Sequence, residues 1–543
     1  MSFTSCLQLL CVYSFANAAN ILIYSPSYSK SHLISNGRIA DVLSNAGHNV
    51  VMLIPEYERT KFNGTKHAKV IRIANVYDDY ADEIEEFAAA FFKQQTITIR
   101  TKLKWSRKSA VVCEAVLRRK DVLDHLRSFK FDVAFSEQIE VCGLGLIRYL
   151  GIQNHIWVSS CSLTVPTTYT LGVPTPLSYV PVVEESGLGS DMSFTERAYN
   201  MWLQEVCVHR YAAHLQTQVF RKMDPEFPHL NDVAADSALC FVNNDEFLDL
   251  ARPILHKIIY VGGIGIPLHS SPLAQSFESL MSKGKNGVVL MSFGTLVPSS
   301  MFAEFIDYHF LIRADDDDND TRQLLIDMNI HNIDLVGWIP QSDMLGHGRL
   351  RLFIMHGGLN GMLEAVIRGV PLLVIPFFGD QYHNAKAAQA RGIGLSLEKY
   401  ELDYAHLKGA LKELLGNEKY HKAARRLSAV IRNKPNKPEE QLVKWTEFVA
   451  KYGSLPELQV EGAKLNFIKY FGIDIFAVVL FLLFTPLMTL IFLIKRTIAI
   501  FCKRGVDLTK KTDSNVRQVH LRVKSVANID LLGPIPQMDM FGQ

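Results

Sequence analysis

The sequence lacks a charge surplus of either sign. Its 57 lysines and arginines stand against 55 acidic residues, a formal +2, so no global field draws in nucleic acid. Cysteine is scarce and poorly spaced for chemistry. No CxxC occurs, and nothing suggests a zinc site. Of eight cysteines, five fall in the body of the chain: Cys113, Cys142, Cys161, Cys207 and Cys240. An odd number without regular spacing argues against a disulfide scaffold and leaves a single pair open. Low-complexity tracts and short repeats are absent, which excludes solenoids and arrays. With 48% hydrophobic and 21% charged residues, the chain is not intrinsically disordered. Its 543 residues suffice for about three domains.

Long hydrophobic runs are also rare, and the two present set the topology. The first, Cys6 to Phe15, is followed by Ala16-Asn17-Ala18. It reads as a secretory signal over residues 1–18, although no Lys or Arg precedes it. The second, Ile475 to Ile494, is twenty residues without a charge, the length needed to cross a bilayer; Pro486 is tolerable there. Lys495-Arg496 and Lys503-Arg504 follow, and from Lys495 onward nine basic residues face four aspartates. The positive-inside bias puts this tail in the cytosol and the body in the lumen or outside, as a single-pass type I chain. Sequons at Asn63 and Asn319 become glycosylation sites where they are luminal and exposed.

Between these runs, NILIYS, a polar turn from Pro26 to Lys30, a periodic segment from His32 to Asn45 and NVVMLIP form a β-loop-α-β unit. KFDVAFSE, HIWVSS and ALCFVNN continue the pattern, interrupted by proline-rich turns and a helical stretch from Phe194 to Arg221. A linker follows around Pro253 to Pro267. The strands GVVLMSFG, HFLIRA, IDLVGWIP, LRLFIMHGG, VPLLVIPFFGDQ and GIGLSLE then alternate with helices. Short, nearly continuous apolar strands belong to parallel sheets buried on both faces. The expected fold is α/β: two doubly wound, Rossmann-like domains, residues 19–255 and 256–455, facing each other across a cleft. A juxtamembrane linker (456–474), the spanning helix (475–494) and a basic tail (495–543) complete the chain.

The densest chemistry runs from Trp338 to Gln381. The strand LRLFIM ends at His356, Gly357-Gly358 make a tight turn, and a helix begins near Leu359. Backbone amides and the positive helix end form a phosphate site there, which the glycines let a ligand approach. His356 can donate a hydrogen bond to a diphosphate oxygen. Glu364 lies at i+4 from Asn360 on one helix face and suits the paired hydroxyls of a ribose. Trp338 offers a flat face to a base, Gln341 its edge, and Asp380-Gln381 can take sugar hydroxyls. Together these residues describe a nucleotide-diphosphate-sugar site at strand carboxyl ends.

The same residues resemble the signature of the family-1 UDP-glycosyltransferases, in the animal membrane-bound, UDP-glucuronosyltransferase-like branch. The 44-residue span from Trp338 to Gln381 puts Trp338, Gln341, His356, Asn360, Glu364, Asp380 and Gln381 at the family's donor positions. GVPTPLSYVP, NNDEFLDLARP, YVGGIGIP and SFGTLVPSS extend the resemblance over almost the whole chain. It implies a two-domain GT-B fold, a UDP-sugar donor held by the second domain and a small lipophilic acceptor held by the first. It implies neither a metal nor another cofactor. Endoplasmic reticulum residence, contact with membrane lipid and association with itself or with relatives are further expectations. The resemblance points to His32, in the Ser31-His32 pair, as the base that takes an acceptor proton. Glu137 stands where the family has an aspartate and would orient the imidazole. Asp132 and Glu140 are expected to be structural or solvent-facing. The leaving UDP would be stabilised by His356, the helix end and the loop bearing Ser292, Gly294 and Thr295, with inversion at the anomeric carbon.

Three other motifs carry less. Asp315 to Asp318 lacks the glycine and closing glutamate of a calcium loop and reads as a solvated turn. GGIGIP has Pro267 where a dinucleotide turn needs a helix. The helix from Tyr199 to Gln216, with Trp202 and Tyr211, reads as packing or membrane-skirting. Two features depart from the family pattern. Gly361 replaces the usual serine after Asn360. Only Thr295 to Tyr308 joins two strands expected to be parallel, where a crossover needs a dozen or more residues. The shortened helix after Ser300 raises an alternative: a weakly active or inactive form that binds UDP-sugar or partner subunits.

Overall fold

Alternation of apolar strands and amphipathic helices produces two parallel sheets. The computed structural model describes residues 18–57, 60–77, 98–184, 186–205, 209–292, 302–314 and 318–526; the expected signal segment lies outside them. The chain divides into a body ending at Ala463 and a C-terminal unit from Lys464. The first sheet contains β1 (Asn20–Tyr24), β2 (Asn49–Pro55), β3 (Lys69–Ile73), β4 (Val133–Glu137), β5 (His155–Ser159), β6 (Leu239–Val242) and β7 (Ile258–Tyr260). Its order is β3-β2-β1-β4-β5-β6-β7. The second contains β8 (Gly287–Met291), β9 (Tyr308–Arg313), β10 (Ile333–Val336), β11 (Leu350–Met355), β12 (Leu372–Val374) and β13 (Gly394–Ser396), in the order β10-β9-β8-β11-β12-β13. Each order reverses once, between β1 and β4 and between β8 and β11. Ligands of such sheets bind beyond the carboxyl ends at that point.

The strands are apolar on both faces because both faces are covered. In β1, Leu22 and Tyr24 join one core, with Val51, Leu53 and Leu126. Ile21 and Ile23 join another, with Leu33, Ile39 and Leu43 of α1 (Lys30–Asn45). The further helices that place the site are α2 (Ile99–Arg118), α3 (Cys142–Tyr149), α4 (Leu359–Arg368), α5 (Gln381–Ala390), α6 (Glu418–Asn433) and α7 (Pro438–Tyr452).

The expected domain boundary needs correction in two places. β7, assigned from sequence to the linker and second domain, pairs with β6 in the first sheet. A three-residue strand has no periodicity to read. Helix α7 also returns to the first lobe, placing Leu442 and Val449 in the core beside Ile21 and Ile39. Its amphipathic pattern announces a buried face but not which sheet receives it. Buried polar contacts accompany these crossings. Lys434, between α6 and α7, pairs with Asp245 at 2.7 Å and Glu246 at 2.9 Å. His383 of α5 meets Asp249 at 2.7 Å. Removing one partner of such a buried pair costs about 3–5 kcal/mol.

The short crossover coexists with a complete parallel pairing. β8 and β9 pair from Gly287↔Tyr308 to Met291↔Ile312, although residues 293–301, with Gly294 and Thr295, lie outside the described segments. Phe302 is fully buried and stacks on Phe310 at 4.8 Å, so an aromatic ring occupies part of the cover expected of a helix. Asp318 accepts from the Thr321 amide at 3.2 Å and caps the helix Asn319–Asp327, while residues 315–317 are not described. In the stretch expected to be helical from Phe194 to Arg221, Phe194–Glu205 and His209–Arg221 are helices, and residues 206–208 lie outside the described segments. In the C-terminal unit, α8 (Ile473–Val526) contains Pro486 without a break. It is long and apolar enough to cross a membrane.

Cys113 of α2 and Cys142 of α3 form a disulfide, the single pair that the cysteine count left open; Cys161, Cys240 and Cys502 are free. The bridge closes a segment of 29 residues. Replacing both cysteines with serine is expected to lower stability by about 2–4 kcal/mol. Thermal melting of the two forms, each with and without reductant, checks this: reductant should destabilise only the native form.

Candidate active site

Two side chains meet at the carboxyl end of the first sheet. Glu137 is the last residue of β4 and His32 lies in the first turn of α1, just beyond β1. The switch between β1 and β4 brings them together, with His32 Nδ1 2.7 Å from Glu137 Oε1. Burial alone would raise the Glu137 carboxyl. The charge and hydrogen bond of His32, with further donors from Ser160 and Asn36, hold it below its ordinary value. An ionised carboxylate only accepts, so Nδ1 carries the proton and Nε2 keeps its lone pair. Burial alone would likewise push His32 down, yet Glu137 and the charge of Asp380 keep it above 6.5. Asn36, one turn along α1, donates to Glu137 Oε2 at 3.3 Å and to Ser25 Oγ at 3.0 Å.

Neighbouring acids have other work. Asp132 accepts from the Asn20 amide at 2.7 Å and anchors β1. Glu140 is not solvent-facing: it is buried and accepts from Tyr24 at 2.8 Å and Tyr57 at 2.9 Å. Burial raises its carboxyl. Tyr28 joins this network through Tyr57 at 3.2 Å and lies edge-on to His32, with ring centroids 6.4 Å apart. Trp105 packs 6.2 Å from Tyr28.

The second sheet contributes the turn after β11. His356 is partly buried, its imidazole pushed down to about 4 by desolvation, so it is neutral near pH 7. Its Nδ1 is buried without a hydrogen-bond partner, the kind of orphaned atom that a missing ligand explains. Gly357 has φ +89°, which side chains rarely adopt. A Cβ on Gly358 would lie 2.4 Å from His356 Nε2; this glycine makes room for the imidazole itself. At Gly361 the nearest atoms to such a Cβ are 3.4 Å away, so a serine would fit.

Helix α4 carries the polar face expected of it, but its side chains are engaged across the lobes. Asn360 Nδ2 donates to the Ser31 carbonyl at 3.2 Å and Ser35 Oγ at 3.0 Å, and Oδ1 accepts from Asn243 at 3.2 Å. Glu364 meets Arg38 of α1 at 2.6 Å and Gln341 at 2.9 Å. Gln341 thus bonds the carboxylate in this structure. Gln381 is also engaged: its Oε1 accepts from the amides of Phe377 at 2.9 Å and Phe378 at 3.3 Å, closing the turn before α5. Asp380 accepts from Asn384 at 2.8 Å, and burial raises its carboxyl. Ser292 is buried at the end of β8, its amide donating to Ile354. Trp338 is 78% exposed, with Arg313 over its ring at 5.4 Å, so a face remains open for stacking.

Arg38, Ser35, Asn243 and Ser160 were not foreseen. Arg38 gave one faint signal, a charge six residues after His32 on the same helix. No cluster of three metal-ligating side chains occurs among the described residues.

Two parallel sheets, each with its site at a switch point, define a two-lobed glycosyltransferase of the GT-B type. A family profile described as UDP-glucoronosyl and UDP-glucosyl transferase matches residues 19–512. The protein ugt-47 of Caenorhabditis elegans, which carries a UDP-glucuronosyltransferase name, is 33% identical over 503 residues, 88% of this chain and 93% of its own. UDP-glucuronosyltransferase 1A9 of Homo sapiens is 28% identical over 502 residues, 88% of this chain and 92% of its own. Among solved structures, Phytolacca americana UGT2 complexed with UDP-2fluoro-glucose and pterostilbene aligns with a TM-score of 0.54 and 17% identity. It covers 80% of this chain and 100% of that one. The glycosyltransferase of kitacinnamycin gives a TM-score of 0.53 at 16% identity, covering 80% and 98%. These structures establish the shared fold. The chain belongs to the UDP-glucuronosyl and UDP-glucosyl transferase family and is a UDP-glycosyltransferase.

The titration of His32 yields a pH signature. If His32 is the base expected from the sequence, it works only when neutral, and Glu137 holds it above its ordinary 6.5. The acid limb of kcat/KM against pH should therefore have an apparent pKa above 6.5. In Glu137→Gln the raising charge is lost, so the limb should move to lower pH while the plateau rate falls. A limb that stays put in the variant would remove Glu137 from this role.

Proposed function

We propose that the protein transfers a hexose, glucose or glucuronic acid, from UDP to a hydroxyl of a small lipophilic acceptor, with inversion. The observation that carries this reading is the His32–Glu137 pair at 2.7 Å, set beside the start of α4 by the Asn360–Ser31 contact at 3.2 Å. In this scheme, Nε2 of His32 takes the acceptor hydroxyl proton as its oxygen bonds to the anomeric carbon. The bond from that carbon to the diphosphate oxygen breaks, and UDP leaves with the electron pair. Glu137 stabilises the resulting imidazolium. The amides at the start of α4 and the neutral His356 receive the diphosphate charge, and the scheme draws on no metal. Asn360 serves the phosphate and Glu364 the ribose, while Trp338 stacks on the base and Asp380 takes sugar hydroxyls. Tyr28, edge-on to His32, and Trp105, packed against Tyr28, favour an aromatic or otherwise lipophilic acceptor.

UDP release from UDP-glucose and UDP-glucuronic acid with a panel of phenols tests the scheme. His32→Ala should lower kcat by about 100- to 10,000-fold while UDP binding persists. Undiminished turnover in the variant overturns the assignment. One observation favours a second reading: the crossover between β8 and β9 is confined to residues 292–307. A wild-type protein that binds UDP but never releases it from a donor would favour that weakly active or inactive form.

The body is assigned to the lumen of the endoplasmic reticulum, with α8 as the anchor and the basic tail in the cytosol. The Cys113–Cys142 bridge supports an oxidising compartment. Asn319 is exposed at the start of its helix and open to glycosylation. Asn63 is less open, its carbonyl oxygen accepting from Arg72 at 2.8 Å. Endoglycosidase should shift the wild-type protein on a gel, and Asn319→Gln should reduce that shift. A chain from cells that never shifts would place the body on the cytosolic side.

A further inference from the structure

We infer that Arg38 sets donor affinity by competing with the donor's ribose for Glu364. The inference rests on the proposed role of Glu364 as the ribose acceptor. A carboxylate that receives two vicinal hydroxyls uses both oxygens. In this structure both are taken: Oε1 by the Arg38 guanidinium at 2.6 Å and Oε2 by the Gln341 amide at 2.9 Å. The Glu364 side chain is only 10% exposed, which leaves little room for a further partner to approach. Asn360, one turn earlier on α4, is held in the same way by Ser31, Ser35 and Asn243. Asn360 thus spends its hydrogen bonds on the opposite lobe, and Glu364 divides its own between Arg38 of that lobe and Gln341 of its own.

The guanidinium also has somewhere to go. A cavity of about 750 Å³ also adjoins Arg38, lined by Asp41, Glu439 and Glu440 and by the basic Lys66, His67 and Lys444. Gly265 packs against the Arg38 stem, where a Cβ would lie 2.9 Å from Cγ, and so leaves the side chain space beside the chain. Asp41 already accepts from the Lys66 and His67 amides, Glu439 from the Gly265 amide and Glu440 from Lys444, so the cavity gives the guanidinium a solvated space rather than an unpaired acid when ribose hydroxyls displace it. Without the arginine, Glu364 is a partly buried carboxylate lacking its counter-ion, and ribose hydroxyls satisfy it at lower cost.

Calorimetric titration of the full-length protein in detergent with UDP and with 2′,3′-dideoxy-UDP tests this. Arg38→Met, which keeps the stem against Gly265, should tighten UDP binding by about 5- to 30-fold and leave dideoxy-UDP unchanged. Arg38→Lys, which keeps a cation, should stay close to wild type. Arg38→Gln should fall between and serves as a second variant if the methionine form does not fold. If wild type prefers UDP over its dideoxy analogue but removing the arginine charge leaves UDP affinity unchanged or weaker, the competition is overturned and the ribose role of Glu364 survives. If wild type binds both nucleotides equally and Glu364→Gln loses nothing, the ribose role fails and the competition with it.

Discussion

The hydrogen bond between His32 and Glu137 depends on a register. β1 and β4 pair from Ile21↔Val133 to Tyr24↔Ser136, so Glu137 emerges at the level where the chain leaves β1 for α1. A slip of one residue would turn Glu137 to the opposite face of the sheet. Burial makes the pairing mutual. In a low-dielectric setting an isolated carboxylate is costly, and here the imidazole, Asn36 and Ser160 all lower that cost. The same burial that threatens the charge also fixes the tautomer, because an ionised acid can only accept. A sheet that holds its register thus decides which nitrogen of His32 is free.

The two lobes meet through many polar groups, beside apolar contacts where Leu248 enters the core of the second lobe and Leu442 and Val449 that of the first. Asn360 touches Ser31, Ser35 and Asn243, Glu364 touches Arg38, His383 touches Asp249 and Lys434 touches Asp245. Apolar cores are close-packed and give up little area without loss, whereas hydrogen bonds can be exchanged for bonds to a ligand at small net cost. The distribution matches a division of labour. Lys434 and Asp249 lie on the crossing segments, fully buried, and tie the lobes together. Asn360 and Glu364 lie on α4 at the carboxyl end of the second sheet, where the proposed function places the nucleotide.

Much of this was legible in one dimension. β1, β2, β4 and the strands of the second sheet are continuous apolar runs bounded by turn residues. Gly357 and the start of α4 were marked by the strand-turn-helix pattern. β3, with the half-polar sequence KVIRI, and the three-residue β7 were not, because neither has enough periodicity to stand out. The Cys113–Cys142 bridge was an open option that only proximity could settle. Gly358 was read as room for a ligand, yet it also makes room for the His356 ring. Gln341 and Gln381 were read as ligand contacts, and the protein groups that each also bonds were not foreseen. A side-chain amide binds the strongest acceptor or donor within reach, and sequence spacing does not reveal what that will be.

The amino-acid order by itself determined the class of fold, the glycine turn after β11, the apolar C-terminal helix and the residue types of α4. These follow from local periodicity and from glycine's conformational freedom, which act over a few residues. Tertiary structure alone decided that Glu137 faces His32 across 105 positions of chain, that α7 serves the first lobe, and that Arg38 claims Glu364 from 326 positions away. Such contacts depend on where separate elements come to rest, and that is a property of the packed sheets rather than of any one stretch of sequence.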